Sequence, residues 1–211
     1  MVLVFATVSP VYSNEWRLTP SIDVQVSATD NARAAPRGSE KADVYTTVTP
    51  ALSLRGVAAR GQLNLDYAPS GVVYFDNTDL NGINHRLLES STFEFAREFL
   101  YLDTRASVSQ RTINATGALT ADPENGRNDN VTTVATYTVS PYIKNHFGGF
   151  ADSELRYSFN QVHAGALSDT TSHRITERLS SGNDFSRLRW LAVADSLNYS
   201  VSEETNSFTP V

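Results

Sequence analysis

The chain has 211 residues, a formal net charge of -6 and no cysteine. The acidic balance, with no basic stripe carrying interleaved aromatics, excludes a general nucleic-acid binder, and the lack of cysteine excludes a disulfide framework. Apolar residues make up 40% and charged residues 19%, and the abundance of Thr, Ser, Val, Asn and Tyr suits pleated strands better than helices.

The opening stretch, MVLVFATVSPVYSNEW, runs apolar from Val2 to Val8 and then turns small and polar. Residues 1–13 read as the h-region and c-region of a signal peptide that lacks a basic n-region, with cleavage after Ser13. No apolar stretch reaches the roughly 18–20 residues of a transmembrane helix, so any crossing of a membrane falls to strands.

Residues 14–211 read as one β domain. The first strand, Glu15 to about Ala28, sets Trp16, Leu18, Ile22, Val24 and Val26 against Arg17, Thr19, Ser21, Asp23 and Gln25. A polar loop (29–42) leads into the clearest hairpin, Asp43 to Tyr67, whose second strand alternates Leu63, Leu65 and Tyr67 with Arg60, Gln62, Asn64 and Asp66. The order Tyr-Thr, Val, hydroxyl-Pro, turn, alternating strand returns at 136–160. A loop over 68–84 follows, rich in Asp, Asn and Gly. Further strands are predicted at 85–95, 99–110, 131–143, 149–162, 172–180 and 186–201, about nine in all.

The connections between them alternate long and short. Outer-membrane barrels have short periplasmic turns and longer extracellular loops, and strands of about 9–13 residues match what crosses a bilayer at a tilt. The prediction is an all-β, antiparallel up-and-down transmembrane β-barrel of the bacterial outer membrane, present in part. One parity then faces a polar lumen, with Arg60, Asn64, Asp66, Asp103, Arg105, Asp152, Glu154 and Arg156. The other faces membrane lipid, with Leu63, Leu65, Tyr67, Leu100, Leu102, Leu155, Tyr157 and Phe159. Some residues conflict with this pattern. Pro50 and Pro141 predict bulges or strand starts, and Glu177 and Asp195 fall on the apolar parity, where a register shift, a bulge or an interfacial position would accommodate them.

The segments TDN (29–31), YTTVTPALSLRG (45–56), LNLDY (63–67), FLYLDTRASVSQ (99–110) and YTVSPYI (137–143) together resemble the PEP-CTERM system-associated outer-membrane β-barrel proteins. Those proteins accompany exosortase and exopolysaccharide gene clusters in Gram-negative bacteria. The resemblance implies the N-terminal half of such a barrel, with a structural or porin-like transport role and with exopolysaccharide or export machinery as partner.

No catalytic signature accompanies the strands, and the reading is of a non-enzyme without cofactor or metal. His85, His146, His163 and His173 are scattered, and Ser91 lies six residues from His85 on one strand, too far for a nucleophile and its base. The pairs Asp152/Glu154 and Asp122/Glu124 have the spacing of glycosidase carboxylates, but ion pairing with Arg156 and Arg105 explains the first more simply. The loop DPENGRNDN (122–130) offers oxygen ligands for Ca2+ without EF-hand spacing. Trp16, Tyr67, Phe95, Phe99, Tyr137, Phe147, Phe150 and Trp190 gather towards strand ends, as interfacial girdles do. The alternative is a soluble β-sandwich that binds carbohydrate through those aromatics and the long loops.

Overall fold

Alternation of period two commits every strand to one polar and one apolar face, and a sheet keeps such faces continuous from strand to strand. The computed structural model of the chain describes residues 3–4, 15–117, 119–122, 126, 128–165, 168–185 and 189–202. Within them ten strands form one antiparallel sheet in strict chain order. They are β1 (Leu3–Val4), β2 (Glu15–Thr29), β3 (Asp43–Ala58), β4 (Gly61–Tyr74), β5 (Gly82–Ala96), β6 (Leu100–Thr112), β7 (Val131–Phe147), β8 (Ala151–His163), β9 (Asp169–Ser181) and β10 (Leu191–Ser202). A 3-10 turn at Thr78–Leu80 is the one helical element among the described residues. The nine long strands and their up-and-down order are those the alternation predicts. The sheet is open, however: β1 is paired with the β2 edge alone, Leu3 opposite Ile22 and Val4 opposite Ser21, and β10 is paired on one side alone. Of the predicted signal peptide, all but Leu3 and Val4 lies outside the described residues.

Several boundaries move. The predicted loop 68–84 shrinks to 75–81, because Ala68 to Val72 pair with β5, from Arg86 to Gly82, and Gly71 to Tyr74 pair with β3, where Val72 opposes Thr47. The last connection grows to span 182–190, where Gly182 N–H and Asp184 N–H each donate to the β7–β8 turn, to the carbonyls of Phe150 and Gly149, at 2.8 Å. Phe185 and Trp190 pack there against Phe150, at ring distances of 5.4 and 6.3 Å. The alternation of long and short connections therefore holds through β8 and fails at the final one.

Neither predicted proline bulge forms. The β3–β4 ladder runs to Val48 opposite Gly71 and resumes at Leu52 opposite Tyr67 in the same register. Pro50 faces Pro69 across that gap, and neither has an N–H to give. The β7–β8 ladder is likewise interrupted between Val139/Phe159 and Tyr142/Arg156 without a slip. Each gap is crossed by hydroxyls: Thr49 Oγ1 lies 2.7 Å from Ser70 Oγ, and Ser140 Oγ donates to Ser158 Oγ at 2.9 Å. The repeated hydroxyl-Pro dipeptide thus removes a backbone bond and restores a side-chain one beside it. Ser140→Ala is expected to lower stability by about 1 kcal/mol while Ser140→Thr restores it, read as the urea midpoint; equal midpoints for all three proteins would refute the bridge.

Register carries the faces across the sheet. From β2 to β9 one face takes Arg17, Asp23, Ser53, Asp66, Thr92, Asp103, Thr138, Arg156 and Arg178, and the other Leu18, Leu54, Leu65, Leu102, Val139 and Leu155. β10 inverts the rule. Its register sets Val193 beside Arg178 and Leu197 beside Arg174, so its apolar parity shares the polar face. Asp195 goes with it, accepting from Thr176 Oγ1 at 3.0 Å with Arg174 at 3.7 Å. Glu177 stays on the apolar face, where Ser153 Oγ donates to it at 2.7 Å. A buried apolar cluster sits at the long-loop rim, where Ala32, Val72, Tyr74 and Leu80 are buried together with Tyr45 against them.

Candidate functional site

The polar face is where the sequence places its charged side chains, and the strands bring a subset of them into contact. Arg156 on β8 donates to Asp103 on β6 at 2.7 Å and to Glu154 at 3.1 Å. It reaches β6 by crossing β7, where its guanidinium lies 3.8 Å from the centre of the Tyr142 ring. Tyr142 stacks in turn on Tyr101 at 5.0 Å, and Lys144 sits over both rings. Thr92 on β5 completes the row by donating to Asp103 at 2.9 Å. Four adjacent strands are thereby cross-braced through one cation, in the planar geometry that suits arginine rather than lysine.

Of the other predicted polar-face residues, Asp66 pairs with Arg55 at 2.6 Å and Asp152 with His146 at 2.6 Å. Asn64 and Arg105 share the polar register. Arg60 differs from prediction: it sits in the two-residue β3–β4 turn, since β4 begins at Gly61. The predicted apolar set, Leu63, Leu65, Tyr67, Leu100, Leu102, Leu155, Tyr157 and Phe159, falls on one face throughout.

Towards the long-loop rim the polar face hollows into a cavity of about 220 Å3 whose lining includes Asp23, Gln25, Thr47, Thr49, Ser70 and Asn84. The β6–β7 loop folds over this end. Thr47 Oγ1 donates to Asp122 at 3.0 Å, Asn84 donates to the Gly126 carbonyl at 3.4 Å, and Ala121 N–H donates to the Ala32 carbonyl at 3.1 Å. Above it a second, wider cleft of about 620 Å3 takes Arg33, Asp79, Asn114, Thr120, Asn128 and Asn130 in its wall. Asp122 and Asn128, two of the candidate calcium ligands, are engaged within the protein, Asn128 by donating to Thr120 at 3.2 Å. Glu124 and Asn125 lie outside the described residues.

Asp43 anchors the rim. Burial of its carboxyl works against ionisation, but donation from the Asn77 side chain and from the N–H groups of Asn77, Asp76 and Val44 outweighs it and holds the pKa at about 2. Tyr74 moves the other way: burial first, then the carboxylate of Asp122, pushes its hydroxyl to about 12. Arg33, bonded to Asn77 at 2.9 Å and to Asp79, ties the β2–β3 loop to the same place.

The carboxylate pair Asp152/Glu154 is divided between His146 and Arg156, and Ser91 Oγ is bonded to Thr104 rather than approached by His85. His85 and His173 have another role. Tyr67 OH lies 2.8 Å from His85 Nδ1, and Tyr157 OH lies 2.7 Å from His173 Nδ1. Four residues after each histidine stands a glutamate on the apolar face, Glu89 held by Thr104 at 2.8 Å and Glu177 by Ser153. The recurrence His-Arg-x-x-Glu at 85–89 and 173–177 was readable in the sequence, whereas the stacking of Arg156 on Tyr142 had no local signal. Comparison of the chain with protein-family models, curated proteins and solved structures gives no match.

Proposed function

We propose that this chain is an outer-membrane β-barrel protein of the PEP-CTERM/exosortase exopolysaccharide system, with its apolar face against lipid, its polar face lining a lumen, and a structural or transport role. The apolar face supports this reading best. On β2 it runs from Trp16 to Val26, about 33 Å along the strand at roughly 3.3 Å per residue, which at a tilt near 40° rises about 25 Å, the height of the apolar band on such barrels. Nothing among the described residues lies over it: Leu18 is 52%, Val24 46% and Val26 68% exposed. A soluble sandwich would bury this face against a second sheet, and the single sheet leaves it bare. Glu89 and Glu177 are the costly positions in that band, and their hydroxyl partners offset part of the cost.

The lumen side is supported by charge of both signs locked into pairs, which favours a braced interior over a strongly charge-selective pore. Expressed with its envelope fraction, the protein is expected to require detergent for extraction and to migrate faster on a gel before heating than after. A monomer soluble in plain buffer, with no heat-dependent mobility, would refute the barrel. Exopolysaccharide output unchanged in a deletion strain would remove the system assignment while leaving the fold.

A further inference from the structure

We propose that the short-turn end of the apolar face binds an anionic phospholipid, with an acyl chain in the groove between Trp16 and Phe93 and the head group on Arg60. The inference rests on the reading that this face meets lipid.

The groove has a volume of about 280 Å3, and Trp16, Ala58, Arg60, Gly61, Phe93 and Phe95 contribute to its wall. Its shape follows from the turn. Ala58 and Gly61 oppose each other at the end of β3 and β4, so the floor carries almost no side chain. The walls are aromatic: the Trp16 ring stands over Gly56, and the Phe93 ring closes over Gly61, where a Cβ would meet it at 2.7 Å. Trp16 and Phe95 nevertheless remain 44% and 62% exposed, so the slot opens outward along the apolar face. An extended hydrocarbon chain suits a slot whose walls are mostly aromatic, Gln62 being the further polar side chain in its lining beside Arg60 and Glu94.

The mouth of the groove is charged. Glu94 lines it too, but its carboxylate accepts the N–H of Glu98 and so closes the β5–β6 turn. Arg97 is paired with Glu98 at 3.7 Å. Arg60 makes no ion pair among the described residues. It stands in the turn, just beyond the last apolar residues, at the level a head-group phosphate occupies when the chain below is in hydrocarbon. A guanidinium there offers planar, bidentate donation to a phosphate.

The chain has two tryptophans, so Trp190→Phe leaves Trp16 as a reporter inside the groove. This variant, reconstituted in vesicles, is titrated with phosphatidylglycerol or phosphatidylcholine brominated on the acyl chains, and Trp16 fluorescence is followed. The anionic lipid is expected to quench at about fivefold lower mole fraction; Arg60→Gln abolishes the preference and Arg60→Lys retains it. Equal quenching by the two lipids, or a preference that survives Arg60→Gln, overturns the site alone. Absence of quenching by either lipid overturns the membrane reading as well.

Discussion

Asp43→Ala is expected to lower stability by about 3 kcal/mol, the largest single effect at the long-loop rim. Asp43 is 5% exposed, and its carboxylate accepts Val44 N–H at 2.7 Å, Asp76 N–H at 3.1 Å, Asn77 N–H at 2.7 Å and the Asn77 amide at 2.8 Å. Alanine leaves the donors of Asn77, itself 5% exposed, buried without an acceptor. The same residue sets a pH dependence. Its folded pKa of about 2 lies below its ordinary value of 3.8, so the stabilisation, about 2 kcal/mol, is complete above about pH 5 and is lost progressively as the pH falls through 3.8 and past 2. Urea unfolding in detergent micelles should show the gap between wild type and Asp43→Ala narrowing over that window. A gap as wide at pH 2 as at pH 7 would show that the carboxylate does not hold the rim.

Arg156→Ala should cost about 2 kcal/mol, against about 0.5 kcal/mol for Arg55→Ala. The contrast follows from exposure: the side chains of Arg156 and Asp103 are 26% and 15% exposed, while those of Arg55 and Asp66 are 44% and 45%. Removing Arg156 strands two half-buried carboxylates and uncovers Tyr142. Lysine cannot lie flat on the ring and bond two carboxylates at once, so Arg156→Lys is expected to recover less than half of the loss. A double-mutant cycle between Arg156→Ala and Asp103→Ala measures the brace directly. Coupling near zero would mean that the pair is an exposed contact of little weight; about 1 kcal/mol or more is expected.

How much of this was legible in the sequence depended on range. Period-two alternation is local, so the nine long strands, and the faces of Leu65, Asp66, Leu155 and Arg156, could be read from neighbours two residues away. Strand ends were less legible, because whether Val72 or Lys144 stays in a strand depends on what the adjacent strand offers, and that is tertiary information. The prolines misled for a related reason. Pro50 reads as a break until Pro69 is seen facing it, and the hydroxyls that bridge the gap belong to different strands. The brace on Arg156 joins β6 and β8, 53 residues apart in sequence, and no spacing rule reaches across an intervening strand. In β10 the alternation was clear but its face was not, since a single step of register decides it.

The two proline gaps also bear on how the sheet was assembled. Thr49-Pro50 and Ser140-Pro141, Tyr67 and Tyr157, and His85 and His173 stand 91, 90 and 88 residues apart, and each pair lies four strands apart in the sheet. Four is an even step, so β3 and β7 descend from the same rim, and a block copied at that interval keeps its long connections on the side where the original had them. A block of three or five strands would have thrown those connections onto the opposite rim. A chain that lengthens by pairs of hairpins can widen its sheet while leaving unchanged which rim carries elaborate loops and which carries bare turns.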